Sequence, residues 1–189
     1  MSATLYLIRH ATPDWSRTDI RYDIPPGPPL TAQGEAEAQQ LGEFLKTTNI
    51  AHLYTSPLER TTRTAQIAAD ALGLEVETVV DLREWERGEL EDAVLTRSRA
   101  MLDNALDESE KRGPLALVTH GGPIRLLLHD LGLDADEMSY YRRTFDRENP
   151  VPPAGVWRIT RNGNGQIEKP ELVFAPQPYK PFVPVTHHL

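Results

Sequence analysis

The chain of 189 residues contains no cysteine, so disulfide bonds, thiolate catalysis and cysteine metal sites are excluded. It also lacks an excess of basic residues, because it contains 20 Lys and Arg but 28 Asp and Glu, which gives a formal net charge of −8. A general nucleic-acid binder usually carries a basic face, so we expect no nucleic-acid partner. No apolar run approaches the roughly 18 residues of a membrane span, and we expect a cytoplasmic protein without a membrane partner.

The length suits one domain, and its organisation follows from the order of sequence patterns. Short apolar runs alternate with helical patterns, which predicts a three-layer α/β/α sandwich with a mostly parallel central sheet. We assign residues 1–175 to a single catalytic domain. Residues 176–189 are rich in proline and form a predicted tail, either loosely ordered or lying over the body. The oligomeric state is left open.

The periodicity of apolar residues predicts the individual elements. Thr31 is a predicted N-cap for the first helix. The predicted strands are Thr4–Ile8, Ala51–Tyr54, Val76–Val80, Pro114–Thr119, Gly155–Thr160 and Glu171–Phe174. The predicted helices are the one that Thr31 caps, with apolar residues to Leu45, then Glu59–Leu72, Val94–Lys111 and Pro123–Leu131.

Two histidines stand where predicted buried strands end. Arg9 and His10 close the first strand, and His120 follows the strand that ends at Thr119. Polar side chains at such positions are costly to desolvate unless something anionic meets them there, and phosphate is the simplest such anion. Ligands of a doubly wound sheet gather outside the carboxyl ends of its strands. The pattern therefore predicts a phosphate-handling pocket at one edge of the sheet.

Two more segments follow other predicted strands and contribute further groups. Ser56 to Arg60 follow the second strand, and Glu84 lies just after the third. Arginine suits phosphate because its planar donors bind two oxygens at once. A pocket with a histidine as nucleophile or base, two arginines and one carboxylate is the expected result.

At these residues the chain resembles the histidine phosphatase superfamily, the phosphoglycerate mutase-like fold, and in particular its phosphatase branch. A lone Arg-His pair is a weak signal, but five motifs in the family's order are a specific one. The motifs are the opening Arg-His motif at Arg9–Pro13, Pro-Leu-Thr-x-x-Gly at Pro29–Gly34, Ser-x-Leu-x-Arg-x-x-x-Thr-Ala at Ser56–Ala65, Leu-x-Glu-x-x-x-Gly at Leu82–Gly88 and His-Gly-Gly-x-x-Arg at His120–Arg125.

The resemblance implies a role for each matching residue. His10 is the implied nucleophile, while Arg9, Arg60 and His120 hold the phosphoryl oxygens. Glu84 is the implied proton donor to the leaving oxygen, and it later helps to activate water. No metal and no other cofactor is expected, because the arginines and His120 supply the positive charge.

Further candidates surround this set. Ser16 stands where many family members have an asparagine that touches phosphate, and Thr12 offers a hydroxyl donor. Gly121 follows His120 within its motif and is a further candidate phosphate contact. Glu86 is the reserve for Glu84, because several carboxylates lie in that segment.

These residues predict a metal-independent phosphomonoesterase that acts through a phosphohistidine on a small phosphorylated substrate, whose identity the sequence leaves open. One alternative is a cofactor-dependent phosphoglycerate mutase. The mutases of this family are longer chains with more covering segments after the general acid. The stretch between Glu84 and His120 is short here, and this favours hydrolysis. The other alternative is a phosphate- or phosphoprotein-binding module that has lost catalysis. Taken alone, His10 and His120 could each also be structural histidines at strand ends.

Overall fold

A six-stranded sheet forms the centre of the protein, and helices cover it. The computed structural model describes residues 2–145 and 149–178. The strands are β1 (Ala3–Arg9), β2 (His52–Thr55), β3 (Val76–Thr78), β4 (Leu115–Thr119), β5 (Val156–Arg161) and β6 (Glu171–Phe174). The helices are α1 (Ala32–Leu45), α2 (Glu59–Asp70), α3 (Glu91–Arg112), α4 (Gly121–Asp130) and α5 (Ala135–Thr144), with one 3₁₀ turn at Val80–Leu82.

The strand order is β3-β2-β4-β1-β5-β6, so the strands that carry the candidate site occupy the middle. β1 and β2 are each parallel to β4, and β3 is parallel to β2. β5 is antiparallel to β1, and β6 is antiparallel to β5. The sheet is thus mixed, with its parallel part as predicted. All five residues of β4 are buried, as expected for a parallel strand that is covered on both faces.

Side chains of β1 divide between the two faces of the sheet, because successive residues of a strand point in opposite directions. Leu5 and Leu7 belong to a core cluster that includes residues of α3 and α4. Tyr6 and Ile8 belong to a second cluster that includes residues of α1 and α2. The helices therefore form a layer on each face, and the predicted three-layer architecture is confirmed.

Several predicted boundaries differ from those observed. Thr31 caps α1 as predicted, with its hydroxyl accepting from the Gly34 amide. The third strand was predicted to reach Val80, but β3 ends at Thr78 and Val80 begins the 3₁₀ turn. The sequence analysis missed α5, although Asp134 and Glu137 form a capping box at its start. That pattern is a recognised sign of a helix N-terminus.

The start of the proline-rich segment is held against α1. The Gln40 side chain accepts from the Gln177 amide and donates to the Gln177 carbonyl, each over 2.8 Å. Residues 179–189 of the predicted tail lie outside the described residues. Within the described residues, no helix combines the length and apolar character needed to cross a membrane.

Candidate active site

The sheet register brings the two strand-end histidines together. Arg9 and Thr119 are paired across β1 and β4, so His10 and His120 leave neighbouring strands at the same edge. The His10 amide donates to the Thr119 carbonyl over 3.0 Å. The two imidazole rings lie 5.3 Å apart between centroids, and both residues are fully buried. The two histidines that the sequence placed at the carboxyl ends of the strands therefore do lie side by side at one edge of the sheet.

The His10 ring has a defined orientation. Its Nδ1 lies 2.8 Å from the Ala11 carbonyl oxygen. A carbonyl oxygen can only accept, so Nδ1 carries the proton and Nε2 carries the lone pair. Burial, together with the Arg60 and Arg9 charges, holds the pKa of His10 well below its ordinary value. His10 is therefore a neutral imidazole with Nε2 as its nucleophilic atom.

Arg60 lies in the first turn of α2 and is fully buried. Its Nη2 lies 3.1 Å from His120 Nδ1 and 3.4 Å from Glu84 Oε2. Its Nη1 donates to the Tyr22 carbonyl over 2.8 Å. Its Nε has no hydrogen-bond partner among the described residues. The guanidinium thus contacts Tyr22, His120 and Glu84, and its Nε–H group is not used in these contacts.

The tautomer of His120 follows from its partners. A guanidinium can only donate, so the Arg60 contact identifies Nδ1 as the acceptor of the ring. Nε2 therefore carries the proton and donates to Ser56 Oγ, which lies 2.7 Å away. Burial and the Arg60 charge hold the pKa of His120 well below its ordinary value. Ser56, to which the sequence analysis gave no role of its own, thus orients His120.

Glu84 is placed by contacts to the segment that carries it. The Thr119 hydroxyl on β4 donates to the Leu82 carbonyl over 2.7 Å. Arg97, on α3, donates to three carbonyl oxygens of this segment at 2.9–3.0 Å, those of Asp81, Arg83 and Glu84. Sequence reasoning missed Arg97, since its role depends on backbone acceptors and leaves no spacing to recognise.

The Glu84 carboxyl group is almost fully buried, with 7% of the residue exposed. Its Oε1 accepts from the Trp85 amide over 2.9 Å, and its Oε2 lies 3.5 Å from His120 Nδ1. Burial raises the pKa of Glu84 above its ordinary value, although the Trp85 amide and Arg60 oppose this shift. The protonated form that a general acid requires is thereby favoured.

Arg9 completes the group that the structure brings together. Its side chain is buried, and its Nη1 donates to the Val151 carbonyl over 3.0 Å. The other candidate carboxylate, Glu86, pairs with Arg83 over 2.9 Å and is about half exposed. Glu84 is the carboxylate that contacts Arg60 and lies near His120, as the motif register predicted.

Two of the three predicted phosphate contacts have other partners in this structure, and the third is a glycine packed closely against Asn149. The Thr12 hydroxyl donates to Glu37 over 2.9 Å, and the Ser16 hydroxyl donates to Asp14 over 2.6 Å. Gly121 opens α4, where an added Cβ would lie 2.0 Å from Asn149 Oδ1. The phosphate-binding roles of Thr12, Ser16 and Gly121 remain predictions.

Sequence reasoning also missed Tyr22, which lies in the loop between β1 and α1. We call residues 14–29 the covering loop. The Tyr22 hydroxyl lies 3.1 Å from His10 Nε2, and its ring stacks on the Arg60 guanidinium at 3.7 Å from the ring centroid. The sequence places Tyr22 among prolines and charged residues with no periodicity, so no pattern indicated this position.

His10, Glu84 and His120 could in principle act as metal ligands. One nitrogen or oxygen atom of each lies within 4.8 Å of those of the others. The Arg60 guanidinium contacts two of the three, however, and a fixed positive charge opposes the binding of a cation at the same place. The donor set therefore suits an anion better than a metal ion.

The protein is therefore an α/β sandwich with a mixed central sheet, in which two buried histidines lie at the ends of neighbouring strands. The family model of the histidine phosphatase superfamily (branch 1) matches residues 5–93. This match covers somewhat less than half of the chain and confirms the resemblance to the superfamily that the motifs predicted.

The relatives found by sequence include the probable phosphoglycerate mutase GpmB of Klebsiella pneumoniae, which is 40% identical over 106 residues. The match covers 56% of this chain and 46% of that protein. The corresponding protein of Salmonella choleraesuis is 36% identical over the same shares of the two chains. The chain thus spans about half the length of the curated relatives it matches.

Solved structures show the same fold at low sequence identity. A phosphoglycerate mutase from Bacillus anthracis has a TM-score of 0.71 and 19% identity, over 91% of this chain and 92% of that one. A mycobacterial glucosyl-3-phosphoglycerate phosphatase has a TM-score of 0.69 and 19% identity, over 91% and 97% of the two chains. These likenesses confirm the phosphoglycerate mutase-like fold.

Proposed function

We propose that the protein is a metal-independent phosphomonoester hydrolase that acts through a phosphohistidine at His10. The observation that carries the proposal is the orientation of this ring. Nδ1 donates to the Ala11 carbonyl, so Nε2 carries the lone pair in a buried cluster that also holds Arg60, His120 and Glu84. Phosphoryl transfer depends mostly on positioning and charge stabilisation, and these side chains supply both.

The reaction has two steps. In the first, His10 Nε2 attacks phosphorus, the bond to the leaving oxygen breaks, and Glu84 donates its proton to that oxygen to release an alcohol. In the second, water attacks the phosphohistidine, Glu84 takes a proton from the water, and the P–N bond breaks to release inorganic phosphate. The shifts of both pKa values suit the first step, which needs a neutral imidazole and a protonated carboxyl group.

The charge of the phosphoryl group would be met by buried cationic and donor groups. Arg60 and Arg9 are both buried, and both lie near enough for their charges to lower the pKa of His10. Guanidinium groups bind two phosphoryl oxygens in a planar fork. His120 is neutral in this structure, with Nδ1 accepting from Arg60 and Nε2 donating to Ser56. It would donate to a phosphoryl oxygen only after taking up a proton, so the positive charge comes from the two arginines rather than from His120. Burial strengthens these interactions, because a low local dielectric increases the attraction between opposite charges.

The direct test is trapping of the intermediate with a labelled phosphomonoester. We expect wild-type protein to acquire an acid-labile, alkali-stable label at His10, because a phosphoramidate has that stability. His10→Ala should acquire no label and show no turnover. His129→Ala is the matched control, because His129 lies exposed on α4 and its loss should leave both properties intact. Full turnover by His10→Ala would contradict the proposal.

A screen of phosphorylated metabolites separates hydrolysis from the mutase alternative, which the names of several relatives suggest. A mutase has to retain a second phosphorylated ligand and exclude water, which needs covering segments. Between Glu84 and His120 the chain forms α3 and β4 with short connections, and this supports hydrolysis. Release of inorganic phosphate as the main product would agree with the proposal. Transfer between positions of a phosphoglycerate, with little release, would favour the mutase.

A further inference from the structure

The nucleophilic atom of the candidate site is already engaged by the chain itself. His10 Nε2 carries a lone pair, and the Tyr22 oxygen lies 3.1 Å from it. Burial raises the pKa of Tyr22 above its ordinary value, so the hydroxyl keeps its proton. Tyr22 therefore donates a hydrogen bond to the atom that would attack phosphorus.

Tyr22 also engages the main cation of the site. The centre of the Arg60 guanidinium lies 3.7 Å from the centroid of the Tyr22 ring, and Arg60 Nη1 donates to the Tyr22 carbonyl. On the opposite side of this tyrosine, the Trp15 ring stacks at 4.6 Å and 22°. The side chain thus lies between Trp15 and Arg60, with its hydroxyl directed at His10.

The covering loop is fastened at other points that hold Tyr22 in place. The Asp23 carboxylate accepts from the Arg87 amide over 3.1 Å, which joins the loop to the segment that carries Glu84. The Pro26 carbonyl accepts from the Glu59 amide at the start of α2 over 2.7 Å. These bonds do not involve the Tyr22 hydroxyl, so the loop keeps attachments of its own when that hydroxyl leaves His10 Nε2.

A phosphoryl group cannot react while the hydroxyl is in this position. Near-attack geometry places the reacting atoms about 3–3.5 Å apart, which is the distance at which the Tyr22 oxygen stands from Nε2. We propose that Tyr22 is a gating residue that caps the nucleophile of His10 in the resting protein and has to be displaced by every phosphoryl ligand. This inference deepens the proposed function and rests on it.

The cap has a measurable consequence for affinity. When only a fraction of the molecules has an open site, the apparent affinity for each ligand falls by that same fraction. Loss of the hydroxyl should therefore strengthen the binding of inorganic phosphate and of orthovanadate by the same factor. A typical net hydrogen bond is equivalent to about a fivefold change in an equilibrium constant, so we expect Kd to fall about fivefold for both ligands.

The experiment is isothermal titration calorimetry of wild-type protein, Tyr22→Phe and Tyr54→Phe with phosphate and with vanadate. Tyr22→Phe keeps an aromatic ring on Arg60 and removes only the hydroxyl. Tyr54→Phe is the matched control, because its hydroxyl is also hydrogen-bonded, to Glu108, and lies on β2 away from His10. Tighter binding of both ligands by Tyr22→Phe alone is the expected result. Unchanged or weaker binding by Tyr22→Phe would overturn the cap.

A second measurement separates this proposal from the proposed function. Diethyl pyrocarbonate acylates neutral imidazole, and peptide mass spectrometry reports the rate at His10 without any phosphate chemistry. We expect the rate to rise about fivefold in Tyr22→Phe and to stay unchanged in Tyr54→Phe. A faster rate in a protein that never forms phosphohistidine would leave the cap standing and refute the hydrolase. An unchanged rate in a protein that does form phosphohistidine would refute the cap alone.

Discussion

Gly27 lies in the covering loop and packs closely against Arg60, so a substitution at Gly27 tests the position of the Arg60 guanidinium. Its φ is +69°, and a Cβ added there would lie 2.8 Å from Arg60 Nη1 and 3.3 Å from Leu58 Cδ2. Ordinary contact begins at 3.4 Å, so Gly27→Ala requires the guanidinium or the loop to move by about 0.6 Å. Arg60 is hydrogen-bonded to Tyr22 and His120, so it has little freedom to yield without disturbing the site.

Gly73→Ala is the matched control. Its φ is +67°, and an added Cβ would meet nothing within 4 Å. Alanine in the left-handed region costs about 1–2 kcal/mol at either position, so both variants should lose a similar amount of unfolding free energy from backbone strain in urea titrations. The steric effect on Arg60 belongs to Gly27→Ala alone.

The two variants should therefore differ in activity. A misplacement of about 1 Å in a catalytic group can cost on the order of 10²-fold in rate, so we expect kcat/KM of Gly27→Ala to fall about 10-fold to 10²-fold. Gly73→Ala should retain the wild-type value under conditions in which both variants are folded. Equal kcat/KM for the two variants would show that Arg60 does not act at the position described above, and would refute this reasoning.

Three further predictions concern Glu84, its support and metal ions. Glu84→Gln should lose about 10²–10⁴ in rate on alkyl phosphates and much less in the first step with p-nitrophenyl phosphate, whose leaving group needs no proton. Burst kinetics check this, and equal losses would move the acid role elsewhere. Arg97→Lys should lower kcat for alkyl phosphates while phosphate affinity in calorimetry is kept, because a lysine cannot reach three carbonyl groups. Its control is Arg99→Lys, two residues along α3, where the arginine pairs with Asp103 and Asp130. Dialysis against EDTA should leave turnover unchanged, since the buried arginines disfavour a cation, and activity that returned only with a divalent ion would contradict this.

The part of the site that could be predicted from sequence follows the register of the sheet. His10 and His120 each stand one residue beyond a buried parallel strand, and such ends meet at one edge in any fold of this type. Arg60 and Glu84 could be assigned because their spacing follows the motifs of the family. The surroundings of these four residues could not be assigned, because they depend on contacts with segments that carry no periodic pattern.

Tyr22 illustrates this limit. It lies 12 residues from His10 and 38 from Arg60 in the chain, and its position depends on how the covering loop closes. Tyr22 is a site contact that the motifs did not indicate, whereas Thr12 is a residue that the motifs indicated but that has another partner. The motif places it beside His10, but Glu37 on α1 binds both its amide and its hydroxyl. In each case the partner was decided by tertiary packing.

The hydrogen bonds that the site residues make with one another cannot be read from the motifs. Buried polar groups are nearly always hydrogen-bonded, so groups suited to phosphate need other partners when phosphate is absent. Here Arg60 bonds to His120 and to Tyr22, while His10 bonds to the Tyr22 hydroxyl. Phosphate would exchange these bonds for its own, and the net affinity is the difference between the two sets. The motifs contain the candidate phosphate-binding groups, whereas the proposed cap makes the affinity depend also on Tyr22, which lies outside every motif.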